Sequence, residues 1–518
     1  MSGVGILTLS TVIVKVIGLI YKIPMLRLIT SVGMGYFNSA YEIYAAFCVI
    51  ATSGLPVAIS LLVSSTQNEC RRKRIFSIGL TTFFLLGVAC MALMIGLSHP
   101  FADFLKSPKT HTSLLCISPA IFFICLSSAA RGYFQGTGQM KQTAISQVIE
   151  AAGKLIFGLV MAYIGLVLGL EVQGIAALAV LGLTIAEAAS AIYLFLSIKR
   201  HGARIECSQS DGEGKKIFAS LMRTALPLTL SASALGIAKL IDMTMIFRRL
   251  SSLGYGDEII NSVYGSYTTL CLPLFSLAPA LVSAISLPLV PAISSARAAG
   301  DTAGQNDVAS RAFRLTAIIS APIGAGLALF PKNILELIFS GEDEAIGVAY
   351  PVLSILGLCV LMSCLITLQS AVLSAYERSG LPLLSMLCGS TLKIIICYVL
   401  VGDPDINIYG IAIGTFFCDF CISLINMYFI SRHTPLVLKL SEVLAKPYFC
   451  GITSCVAAFL ILSFMKDKIY VADGRIYTLF AVATAAVIYL VLLFATHTLD
   501  RQEIMTLISK KHKHKMKE

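Results

Sequence analysis

Charge is scarce in this chain: Asp, Glu, Lys and Arg make up 13% of 518 residues, and no acid lies between Met1 and Glu42. With 57% hydrophobic residues, so few charges leave no room for a sizeable soluble domain, and the composition is that of a polytopic membrane protein. Catalytic signatures are missing as well. There is no Walker A loop, no HExxH and no G-x-S-x-G, and the seven histidines lie outside the cores of the apolar stretches. These absences count against ATP-driven transport by this chain alone and against an enzyme; no cofactor is called for. The 15 cysteines are scattered mostly within apolar stretches, where they read as small hydrophobes with no disulfide framework. Cys418-Asp-Phe-Cys421 has CxxC spacing but lacks a second ligand pair, so it reads as packing. No cleaved signal peptide is expected, because the first basic residues interrupt the apolar run instead of preceding it.

What is present is a succession of apolar stretches. A spanning helix needs about 20 such residues, and about 14 stretches qualify, from 5–29 and 36–63 to 219–247, 262–292 and finally 475–496. The expected fold is an all-α polytopic bundle. Basic residues concentrate in the loops after even-numbered helices and in the tail KKHKHKMKE, so the positive-inside rule puts both termini in the cytoplasm. The net charge of +11 is then largely a topology signal, with the tail against anionic lipid headgroups and not on nucleic acid.

A weak internal repeat is visible. Residues from Gln135 align without gaps on residues from Ser374, matching Lys154 with Lys393, and LPVAIS (55–60) resembles LPLVPAIS (287–294). The matches suggest two six-helix lobes in parallel repeat, with two helices appended at the C-terminal end. The expected domains are an N-lobe (1–198), a cytoplasmic linker (199–218), a C-lobe (219–431), and helices 13–14 with the basic tail (432–518).

The intramembrane charges are the candidate functional residues. TVIVKVIGLIYKIPMLRLIT (11–30) places Lys15, Lys22 and Arg27 in apolar sequence, and Lys15 and Lys22 share one helix face. A Lys at mid-bilayer costs about 2.5–3.5 kcal/mol, so it faces water, pairs, or snorkels. Lys15 falls near mid-membrane, which favours a hydrated cavity, and phosphate is the obvious anion for it. Lys239 lies in the outer half with Asp242 at i+3, and Glu42 opens helix 2 at a similar level. Glu150 and Lys154 stand at i,i+4 in the favoured order and read first as a structural ion pair. Glu187, alone in helix 6, is a candidate proton site. Lys393 and Asp419 sit near mid-depth as a structural or coupling pair. Arg131, Arg223 and Arg314 are expected to snorkel at the cytoplasmic face.

Two blocks carry a family resemblance: KVIGLIYKIPMLRLITSVGMGYFNSAYEIYAAFCVIATSGLPVAISLLVSS (15–65) and RGYFQGTGQMKQTAISQVIEAAGKL (131–155), joined by the KLID of Lys239 to Asp242. They resemble the stage V sporulation protein B group. That group sits in the polysaccharide-export branch of the multidrug/oligosaccharidyl-lipid/polysaccharide flippase superfamily and is similar to lipid II flippases. The resemblance implies an alternating-access flippase in the bacterial plasma membrane, carrying an undecaprenyl-diphosphate-linked glycan, with membrane lipids and cell-wall synthesis proteins as partners. It implies that basic residues of the first helix hold the diphosphate; Lys15 matches such a position and Lys22 is displaced by about one residue. The expected substrate-binding set is therefore Lys15, Lys22, Arg27 and Lys239, and the expected gating or coupling set is Glu42, Asp242, Glu187, Lys393 and Asp419. One departure stands out. The acid–arginine pair that those flippases carry ahead of a Leu-Pro-Leu-like segment is absent, since SYTTLC precedes Leu272-Pro273-Leu274. The rival readings are a cation-coupled multidrug exporter, a membrane polysaccharide ligase or polymerase, and a non-transporting scaffold.

Overall fold

The computed structural model describes residues 3–200, 213–437, 441–466 and 474–496, and these are helical almost throughout. Most of the expected linker and the basic tail lie outside the described residues. Twelve described segments are long and apolar enough to cross a membrane, and one of them, Ile13–Ser64, is long enough for two crossings. The protein is a multi-pass, all-α membrane protein.

Packing divides the chain into two compact units, Met1–Thr269 and Leu270–Glu518. The first holds α1 (Gly3–Thr52), α2 (Gly54–Ser64), α3 (Glu69–Gly96), α4 (Ser98–Phe104), α5 (His111–Gly136), α6 (Met140–Val167), α7 (Val172–Arg200), α8 (Glu213–Ser252) and α9 (Asp257–Ser266). At 1.5 Å per residue the 50 residues of α1 would run about 75 Å, more than twice the hydrocarbon thickness. They do not run straight. Thr30 has φ 62° and ψ 174°, a region costly for a β-branched residue, and it breaks α1 into two spans. The second span therefore starts about five residues before the stretch 36–63 suggests, and it carries on past Ser53 into α2.

The helices of this unit meet through small residues. A Cβ on Gly153 would stand 2.8 Å from that of Ala186, which lets α6 and α7 pack closely. Gly35 and Gly265 do the same for α1 and α9: a Cβ on either would run into the other helix's backbone, at Asn261 O and Ser31 O respectively. The pair is stapled at one end by Tyr36 donating to Asp257 (2.7 Å) and by Ser31 with Ser262 (2.8 Å). The residues after α9, Tyr267–Cys271, form a π-helical turn.

The second unit holds α10 (Leu272–Ala298), α11 (Thr302–Leu329), α12 (Pro331–Ile338), α13 (Asp343–Ala375), α14 (Gly380–Leu400), α15 (Tyr409–His433), α16 (Lys446–Lys466) and α17 (Gly474–Ala495). Its centre is α13, packed against α10, α11 and α15. The last two helices are docked, not loose. Cys455 and Ala458 of α16 pack with Phe330 and Ala481, and Tyr489 of α17 donates to Ile318 O at 2.9 Å. Cys418 of the CxxC sequence packs against Ile366 and Ile422.

Candidate functional site

Two polar constellations occupy the apolar interior of the first unit. The first gathers on α1 and α9. Lys22 is half-buried, and its Nζ donates to the main-chain carbonyl of Thr268 at 2.7 Å. Asn38, from the second span of α1, holds the same turn by donating to Thr268 Oγ1 (2.9 Å) and Thr269 Oγ1 (3.0 Å). Thr268 Oγ1 in turn donates to Tyr264 O at 2.7 Å. The π-helical turn thus turns a carbonyl toward a lysine, and π-turns are often found at functional sites. Glu42 lies within electrostatic reach of Lys22, and both Glu42 and Asp242 lie within reach of Tyr264. Three of the expected site residues, Lys22, Glu42 and Asp242, therefore converge.

The other α1 cations differ from Lys22. Lys15 is exposed and makes no ion pair among the described residues. Arg27 is exposed and lines a cavity of about 420 Å³ with Pro24, Leu28, Leu159, Val160 and Tyr163. Lys239 is exposed on α8, one turn ahead of the half-buried Asp242.

The second constellation joins α5, α6 and α7. Lys154 Nζ contacts Glu150 Oε1 at 2.6 Å and Glu187 Oε1 at 3.1 Å. Arg131 contacts Glu150 Oε2 at 2.8 Å, while its Nε donates to Ser146 (3.0 Å) and its Nη2 to Ser190 (3.2 Å). Tyr44 of α1 adds a long contact of 3.5 Å to Glu187 Oε1. The i,i+4 pair of Glu150 and Lys154 is real but is the middle of a four-charge chain. One reading needs correcting here. Arg131 does not snorkel to an interface, because Glu150 offers it a carboxylate inside the protein. Glu187, the lone acid of its own helix, receives Lys154 from α6. Two cations and two acids balance within the protein.

In the second unit Asp419 accepts a hydrogen bond from Ser363, and Lys393 lies within its electrostatic reach. The residues that sequence reasoning passed over are Asn38, Tyr44 and Thr268. Their signal was faint: Asn38 is a lone amide in an apolar run, and Thr268 acts through its main chain.

A sequence profile of the family described as polysaccharide biosynthesis protein matches residues 1–297, and the MatE profile matches residues 266–399. Stage V sporulation protein B of Bacillus subtilis (strain 168) is 25% identical over 512 residues, covering 97% of this chain and 96% of its own. Lipid II flippase MurJ of the same organism is 23% identical over 441 residues, with 80% and 79% covered. Among solved structures, lipid II flippase MurJ in an inward closed conformation superposes with a TM-score of 0.73 at 14% identity, covering 94% of this chain and 97% of the other. An inward-facing multidrug resistance MATE family transporter of the MOP superfamily gives a TM-score of 0.62 at 16% identity, covering 80% and 98%. These low identities speak for the fold. Because the profile spans more than half of the sequence, the chain belongs to the polysaccharide biosynthesis protein family, within the multidrug/oligosaccharidyl-lipid/polysaccharide flippase superfamily.

Proposed function

We propose that the protein is a flippase of the bacterial plasma membrane that moves a polyprenyl-diphosphate-linked cell-wall precursor, lipid II or a related glycan lipid, from the inner to the outer leaflet. Both termini lie in the cytoplasm. Lys15 and Lys22 hold the diphosphate, Arg27 and Lys239 assist at the outward side, and Glu42 and Asp242 orient or gate these cations. Cell-wall synthesis proteins are the expected partners at the site of delivery.

The observation that supports this reading most is the way the α1 lysines are satisfied. Lys22 donates to a neutral carbonyl and Lys15 makes no ion pair among the described residues, so with Glu42 as its single acid against Lys15, Lys22 and Arg27 the helix keeps positive charge that a diphosphate would neutralise. The relative named as a lipid II flippase supports the same substrate class. A drug exporter would want a carboxylate open to an organic cation. In the first unit both oxygens of Glu150 are already taken by cations, Glu187 is fully buried, and Glu42 has Lys22 within electrostatic reach.

The test is flipping of fluorescent lipid II in proteoliposomes. Wild-type protein is expected to flip it, and Lys22→Met is expected to flip it at least about tenfold more slowly, the equivalent of about 1.4 kcal/mol. Full activity in Lys22→Met would remove the lysine from the site. No flipping by folded wild type, alongside transport of another polyprenyl-linked glycan, would change the substrate.

A further inference from the structure

The four-charge chain is lopsided in how its two acids are satisfied. Both oxygens of Glu150 meet a cation, at 2.6 Å and 2.8 Å. Glu187 is fully buried at 0% exposure, and only its Oε1 is engaged, by Lys154 at 3.1 Å and by the long contact from Tyr44. Its Oε2 accepts no hydrogen bond among the described residues, and the carboxylate within hydrogen-bonding reach of Glu187, that of Glu150, is an acceptor when ionised. A buried carboxylate oxygen left without a donor is costly, more so for a charged group than for a neutral one. Something must satisfy that oxygen, and the neighbours decide what it is.

A metal ion does not fit. Lys154 touches Glu187 itself, and Arg131 stands on the far side of Glu150, so a second cation would sit against two fixed positive charges. Too little carboxylate remains to hold it. A proton needs no coordination shell and fits an orphan oxygen directly. The groups that face Glu187 are Tyr44 and Cys48 from α1, Arg131 from α5, and Glu150 and Lys154 from α6. None of them donates to Oε2. Arg131, Glu150 and Lys154 are 13%, 17% and 21% exposed while Glu187 is closed off, so the route of a proton to Glu187 runs past its partly exposed partners.

We propose that Glu187 is a proton-binding site, with the proton carried on Oε2. Binding takes one proton from water and raises the charge of the chain by one. It removes the ionic tie between α6 and α7, leaving Lys154 to Glu150, and it changes what Tyr44 of α1 meets. Because α1 also carries Lys15 and Lys22, the protonation of Glu187 biases the helix that we assign to the diphosphate. This coupling rests on the flippase reading above; the proton site does not.

The test is difference infrared spectroscopy of the full chain in lipid nanodiscs, comparing acidic with alkaline buffer. Wild type is expected to show a buried carboxylic-acid band that Glu187→Gln lacks and Glu150→Gln keeps. Absence of the band in wild type, or its persistence in Glu187→Gln, overturns the site. Should Glu187→Gln fail to fold, Glu187→Asp is expected to shift the band, and an unshifted band overturns the assignment. In proteoliposomes an imposed pH gradient is expected to change the flipping rate of wild type but not of Glu187→Gln; equal responses overturn the coupling. A band in a wild type that flips nothing would overturn the transport reading and leave the proton site standing.

Discussion

The two constellations of the first unit treat charge in opposite ways. Around Lys154 two cations and two acids close on one another, and each ion finds its counter-ion on a neighbouring helix. On α1 Lys22 donates to a carbonyl with Glu42 in electrostatic reach but not in contact, and Lys15 makes no ion pair among the described residues. Charge buried in pairs is stabilised by the protein itself. Charge left unbalanced inside a membrane protein costs free energy until a ligand arrives, and that cost is what marks a binding site. The same residue type, lysine in a spanning helix, thus serves cohesion in α6 and, in the function we propose, recognition in α1.

The comparison breaks most clearly at Lys154. Removing its ammonium leaves Glu150 and Glu187 with only Arg131, on the far side of Glu150, to offset them, and breaking a buried pair costs about 3–5 kcal/mol. Lys154→Ala is expected to lower the thermal unfolding temperature of the detergent-solubilised protein sharply, whereas Lys15→Ala is expected to leave it within error. Equal shifts in the two variants would erase the distinction.

A smaller effect is expected at the contact that delivers the carbonyl to Lys22. A Cβ at Gly265 would collide with Ser31 O, so Gly265→Ala forces α9 away from α1 at a cost of about 1–3 kcal/mol. Cross-linking between cysteines placed on the two helices is expected to slow in this variant. An unchanged rate would mean that the close approach does not depend on glycine.

The smallest effect is expected where a pair is exposed. Lys109 and Glu258 lie 2.8 Å apart with side chains 39% and 68% exposed, and water screens such a pair heavily. Lys109→Ala is expected to leave the unfolding temperature unchanged. A drop comparable to that of Lys154→Ala would show that pairing, not burial, sets the stability.

These contrasts also explain what could be read from the sequence. Spans were legible because hydropathy averages over about 20 residues, and the Glu150–Lys154 pair because i,i+4 spacing is local. The partners of Arg131 and Glu187 were not legible, since α5, α6 and α7 bring them together through tertiary packing. The break at Thr30 was itself legible, since the stretches 5–29 and 36–63 leave residues 30–35 between them; what hydropathy did not show is that the helix resumes at once after Thr30. Lys15 and Lys22 drew notice through the simple absence of acids before Glu42, a feature that needs no partner to be seen. Thr268 could not draw notice at all, because its contribution to Lys22 is a carbonyl that every residue possesses.

The account stands or falls on whether α1 recognises the diphosphate. The direct measurement is the affinity of the purified protein for undecaprenyl diphosphate against undecaprenol, which shares the tail but lacks the charge. Wild type is expected to prefer the diphosphate strongly, and the Lys15→Ala, Lys22→Ala double variant is expected to bind both alike. A double variant that keeps the full preference would contradict the account.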